Sequence, residues 1–163
     1  MILVCFKYRL VLYNILTEDL YACCKWQLKS CRAARFSNSG GIFAVAQLSN
    51  IIIFNAYTFQ VIATLKGHSG IVKHLLWSED DRYLVSTGQE GALYEWEIDI
   101  SKDPNKIRRL ENIVKTSAFH TAAYDYSTRT IAVVGTDQKL WCFQKGDFMI
   151  DVQCGYELTS MCL

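Results

Sequence analysis

Apolar residues come in short runs separated by clusters of Gly, Asn, Asp, Ser and Thr. Near the amino terminus Lys7 and Arg9 alternate with Phe6, Tyr8 and Leu10, a period of two that belongs to a strand. Runs such as IFAVAQ and IIIFN carry almost no polar residue, as expected of strands buried on both faces. Turn residues divide the runs, at Ser37-Asn38-Ser39-Gly40-Gly41, Ser49-Asn50, Gly88-Gln89-Glu90-Gly91, Ser127-Thr128-Arg129 and Thr136-Asp137-Gln138. The pattern predicts an all-β chain. One segment is ambiguous: Leu20, Cys24, Leu28 and Cys31 have helical spacing, whereas alignment with later repeats makes Tyr21 to Lys29 an outer strand.

The pattern also repeats. Runs ending at Tyr13, Phe54, Trp96 and Phe143 align with one another, in steps of 41, 42 and 47 residues. A second set of aromatics, Phe36, Trp77 and Tyr124, precedes the last three of these by 18 or 19 residues. A period of about 40–45 residues with four short strands is that of a propeller blade. Residues 4–28 are read as the last two strands of a blade, and 31–65, 70–114 and 117–153 as complete blades. Residues 157–163 begin the first strand of a further one. The chain, 1–163, is thus expected to be one partial, open β-propeller, with three full four-stranded blades and parts of two more. Closed propellers have roughly four to eight blades. The open arc is expected to expose apolar faces, to aggregate when made alone, and to represent a truncated gene product.

Composition narrows the function classes. A net charge of +1 with 20% charged residues argues against nucleic acid as a partner. There is no apolar run long enough for a membrane-spanning helix, and Lys7 and Arg9 interrupt the amino-terminal one where a secretory signal would be continuous. Seven cysteines form no C-x-x-C pair, which favours reduced thiols over a disulfide framework.

Gly67 to Glu97, GHSGIVKHLLWSEDDRYLVSTGQEGALYEWE, contains the candidate site. His68 is a donor and acceptor, Ser86 a hydroxyl, Glu90 a carboxylate in a turn, and Trp96 an indole N–H donor. Opened by Gly-His and closed by Trp plus an acid, the stretch resembles the WD-repeat family. The resemblance implies a chain of hydrogen bonds through His68, Ser86, Glu90 and Trp96, a structural clamp with no catalytic role. Glu90 stands where aspartate is usual, and Glu97 replaces the final aspartate. Ser30-Cys31 occupies the Gly-His position of the preceding blade and nothing near Lys115-Thr116 supplies one for the next, so only the central blade is expected to form the clamp.

Three segments, LKSCRAARFSNSGGIFAVAQ, LKGHSGIVKHLLWSEDDRYLVSTGQEGALYEWE and IAVVGTDQKL, resemble a more specific group over nearly the whole chain. It is the large cilia- and flagella-associated WD-repeat family of motile axonemes, which has two propellers followed by a coiled coil. The chain corresponds to part of the second propeller and lacks the coiled coil. The resemblance implies a non-enzymatic scaffold in the cytoskeleton of the cilium or flagellum, supporting inner dynein arm assembly or regulation and motility. Its partners would be axonemal or dynein-arm proteins, with tubulin a further candidate, and neither nucleic acid, membrane nor small-molecule substrate. The alternative is a general cytosolic WD-repeat adaptor in a ubiquitin ligase or signalling complex.

No other chemistry stands out. His74 and His120 sit in apolar strands, no His/Cys spacing matches a zinc site, and adjacent Cys23 and Cys24 point to opposite sides of a strand. The glycines at 88 and 91 lack the Lys-Ser/Thr of a phosphate loop. Lys106 to Arg109 reads as a solvated basic edge. No catalytic residue, metal or cofactor is expected, and the partner-binding surface is left open.

Overall fold

The computed structural model describes residues 1–16, 19–99, 107–114 and 117–156. Every regular element among them is a strand. The first sheet holds β1 (Ile2–Phe6), β2 (Arg9–Asn14) and β3 (Tyr21–Gln27). The second holds β4 (Cys31–Phe36), β5 (Ile42–Gln47), β6 (Asn50–Asn55) and β7 (Val61–Lys66). The third holds β8 (Val72–Trp77), β9 (Tyr83–Gly88), β10 (Ala92–Glu97) and β11 (Arg108–Ile113). The fourth holds β12 (Phe119–Asp125), β13 (Thr130–Gly135), β14 (Lys139–Gln144) and β15 (Asp147–Gln153). Neighbouring strands are antiparallel throughout, and Tyr21–Gln27 pairs with β2 as a strand, not a helix.

Residues 4–28, expected to supply two strands, fall in a unit of three. The extra turn, Lys7-Tyr8, contains no Gly, Asn, Asp or Pro, so nothing in composition announces it. It is held instead by the pair Phe6↔Arg9, with the Arg9 guanidinium 4.5 Å from the centre of the Phe6 ring. The proposed strand at 157–163 lies outside the described residues.

The sheets stack face to face, β1 on β4, β4 on β8 and β8 on β12. Packing of this kind does not return from the last sheet to the first among the described residues, so the arc is open. Each inner sheet fills two seams at once, because successive side chains of a strand face opposite ways. On β5, Phe43 and Val45 pack with Leu10 and Trp26, while Ile42 and Ala44 pack with Leu75 and Leu84. Phe43 stacks on Phe54 at 5.0 Å, with Trp26 edge-on to Phe43 at 5.6 Å. The third seam joins Val85 and Leu93 to Phe119, Ile131, Val133 and Phe143. At the carboxy-terminal end of the arc, Ile150 and Val152 extend the ladders Ala132–Cys142–Ile150 and Val134–Leu140–Val152 and are about half exposed.

Polar ties cross the seams as well. The Asp81 carboxylate accepts the backbone N–H groups of Asn38 (2.6 Å) and Ser39 (2.8 Å) from the neighbouring blade, and Asn38 returns a bond to the Ser78 carbonyl. Burial works against the charge, yet the Ser39 hydroxyl, the two backbone N–H groups and the Ser37 hydroxyl together hold the Asp81 carboxyl below its ordinary range. Glu95, whose side chain is 3% exposed, accepts from Arg129 of the next blade at 2.8 Å, and Arg129 lies over the Tyr83 ring.

Candidate functional site

His68 lies in the loop from β7 to β8, Ser86 in β9, Glu90 in the turn after it and Trp96 on β10. Trp96 pairs with Leu84, which shares a face of β9 with Ser86, so the indole reaches Ser86 along the diagonal. Trp96 Nε1 donates to Ser86 Oγ at 2.8 Å. Ser86 Oγ lies 2.8 Å from His68 Nε2, and His68 Nδ1 lies 2.6 Å from Glu90 Oε1. The structure therefore brings all four residues into one continuous chain. The long Glu90 arm fits because Gly70 and Gly88 flank its head. A Cβ on Gly70 would come within 2.6 Å of Glu90 Oε2, and one on Gly88 would overlap the carboxylate.

Only one arrangement of protons serves every bond with an ionised Glu90 and a neutral imidazole. Trp96 N–H donates to Ser86 Oγ, Ser86 O–H to His68 Nε2, and His68 Nδ1–H to the carboxylate. Burial pushes the His68 pKa below its usual value, against the pull of Glu90, which keeps the ring neutral. His74 is lowered too, by burial and then by the charge of Arg35, and its Nδ1 accepts the Ala122 N–H at 3.3 Å. Both histidines bind a proton more readily in the unfolded chain than in the folded one, so folding loses stability as pH falls below about 6.5. The melting midpoint is expected to drop between pH 7 and pH 5, above the range where carboxylates titrate. Thermal melts across that interval check this, and a flat midpoint would contradict it.

A serine hydroxyl on an imidazole on a carboxylate is also the order of an acyl-transfer triad. Access separates the two uses. Ser86 is fully buried and its oxygen already receives the Trp96 proton, so no carbonyl can approach it. Around the chain the packing is aromatic and cationic. The His68 ring stands perpendicular to Tyr94 at 4.5 Å, and Arg109 lies 5.2 Å from the Tyr94 ring centre. Arg109 Nη1 donates to the Lys66 carbonyl at 2.8 Å, which employs part of the expected basic edge in closing the blade entrance. Lys106 lies outside the described residues.

The last blade departs from expectation by building a shorter chain of its own. Ser117 Oγ donates to Asp137 Oδ1 at 2.9 Å, and Trp141 Nε1 donates to Asp137 Oδ2 at 2.8 Å. Asp137 holds the turn position of Glu90, Ser117 lies two residues before β12 as Gly70 lies two before β8, and Trp141 enters two residues earlier than Trp96 does. The signal was Asp137 in a turn four residues before a tryptophan, which a search for Gly-His passes over. Among the described residues no three His, Cys, Asp or Glu side chains gather where they could hold a metal ion.

No protein-family model matches the chain. It is 34% identical to cilia- and flagella-associated protein 57 of Mus musculus over 139 residues, 85% of this chain and 11% of that protein. Cilia- and flagella-associated protein 57 A of Tetrahymena thermophila is 32% identical over 133 residues, 79% of this chain and 10% of that protein. The chain thus spans about a tenth of the length of these curated relatives. Among solved structures, the β-propeller domain of Myceliophteria thermophila Cps50 (Swd1) superposes with a TM-score of 0.76 at 15% identity. The superposition covers 91% of this chain and 53% of that one. By fold the chain is a segment of a WD-repeat β-propeller, and by sequence it is related to the cilia- and flagella-associated proteins 57 over most of its own length.

Proposed function

We propose that the chain is part of a non-enzymatic scaffold of the cilium or flagellum, presenting blade surfaces to axonemal proteins. The relationship to the ciliary proteins over 85% of the chain carries this reading. Inner dynein arm components are the partner class it points to, and support of arm assembly or regulation is the corresponding role. His68, Ser86, Glu90 and Trp96 serve as a structural clamp in this proposal, since each of their hydrogen bonds is made within the blade. A groove of about 610 Å³ between the second and third blades, lined by Val61, Leu65, Lys66, Trp96, Ile107 and Arg109, offers one contact surface for such a partner.

Tagged protein expressed in ciliated cells is expected to lie along the axoneme, with dynein-arm proteins foremost in its proximity-labelled set. A diffuse cytosolic signal with a set dominated by cullin components would overturn the ciliary reading in favour of a general adaptor.

A further inference from the structure

β7 is the outer strand of the second sheet and, among the described residues, pairs only with β6. Pairs in an antiparallel ladder alternate between hydrogen-bonded and non-hydrogen-bonded. The Asn55 N–H donates to the Gln60 carbonyl, so Ile53 and Ile51 also turn their backbone groups toward β7, while Ile52 and Asn50 turn theirs away. Thr64 and Lys66 stand opposite those last two, so their own N–H and C=O groups point out of the sheet edge. The Lys66 carbonyl agrees with this, since it accepts Arg109 Nη1 from the neighbouring blade. No described strand takes up the two groups of Thr64.

The groove between the second and third blades runs along this edge, because all six residues of β7 line it. Its floor is apolar: Leu65 and Trp96 are each 3% exposed and Ala63 7%, with Ile107 packed against them. Lys66 and Arg109 stand at one end, and none of the described residues lining the groove is acidic. Glu111 offsets Arg109 only from 3.6 Å, and Lys66 is exposed.

We propose that this edge and groove bind an extended, acidic segment of a partner protein, which adds to β7 as a further antiparallel strand. The inference rests on the scaffold reading and gives its partner a chemistry. An extended chain is the form that meets both groups of Thr64 at once, because a helix keeps its own backbone groups occupied. A partner residue opposite Thr64 exchanges both N–H···O bonds with it. Residues opposite Leu65 and Ala63 point the same way as these two, into the groove, where aliphatic side chains meet the apolar floor. The residue opposite Lys66 lies at the cationic end, where a carboxylate completes a cross-strand ion pair. Charge thus selects an acidic segment over a basic one.

The probe is the peptide acetyl-Glu-Val-Thr-Val-Thr-amide with fluorescein at its carboxy-terminal end, read by fluorescence anisotropy against the full 163-residue chain. Saturable binding is expected. N-methylation of the central threonine deletes its donor to the Thr64 carbonyl and should weaken binding roughly tenfold. Thr64→Pro should do the same while holding the melting midpoint, because proline is tolerated on an edge strand where the N–H faces outward. Lys66→Glu should weaken the acidic probe and strengthen one whose glutamate is replaced by lysine. Failure to bind, equal binding of the plain and N-methylated probes, or a charge preference unchanged by Lys66→Glu would each overturn the proposal. The N-methylated probe is read on the unaltered chain, so its outcome does not depend on any variant folding. Tagged chain that lies on the axoneme but ignores the probe counts against this inference alone, whereas chain that binds the probe but stays diffuse in ciliated cells counts against the ciliary reading alone.

Discussion

Trp96→Ala is expected to cost about 4 kcal/mol, close to the whole stability of a small domain. Trp96 is 3% exposed and packs in the seam between the second and third sheets, so its removal opens a cavity that the two packed sheets collapse only partly to fill. It also takes from Ser86 Oγ the indole N–H that donates to it. Trp96→Phe keeps most of the packing and deletes the N–H, so it should cost only about 1 kcal/mol. Urea unfolding followed by circular dichroism separates the two. Equal losses in both variants would mean that the hydrogen bond, not the packing, dominates.

Gly91→Ala is the second large effect expected, at about 4 kcal/mol or outright failure to fold. Gly91 has φ +77, and a Cβ there would overlap the carbonyl oxygens of Val114 and Ser117. Those are backbone atoms on the connection to the last blade, which is itself anchored by Val114 N–H on the Gly91 carbonyl at 2.8 Å. Neither side can yield cheaply. Gly40→Ala provides the control, since Gly40 has φ +74 with nothing within 4 Å of a new Cβ. It should lose only the left-handed strain of about 1–2 kcal/mol. Similar denaturation midpoints for the two variants would show that the clash with the connection is unimportant.

Strands such as Ile42–Gln47 were legible because both faces are buried, and continuous burial leaves a continuous apolar run. The residues of the central hydrogen-bonded chain were legible because Gly-His, Ser and Trp keep a fixed spacing within one blade. What escaped were features with no local signature. The Lys7-Tyr8 turn uses residues that are ordinary in strands, and its alternation runs on unbroken from β1 into β2. Ser117, Asp137 and Trp141 form their chain with substitutes at two positions. Asp81 with Asn38 and Glu95 with Arg129 join residues 43 and 34 positions apart on different sheets. Such pairs follow from how blades stack, and spacing along one blade says nothing of them.

Strand order within every sheet follows the order of the sequence. Each described ladder therefore closes between consecutive segments, and among the described residues no sheet waits for a strand made much later. Translation delivers about 5–20 residues per second, whereas a hairpin forms in about 1–10 microseconds. On the ribosome each sheet has seconds to pair before the next is complete, and every new sheet docks on a neighbour already in place.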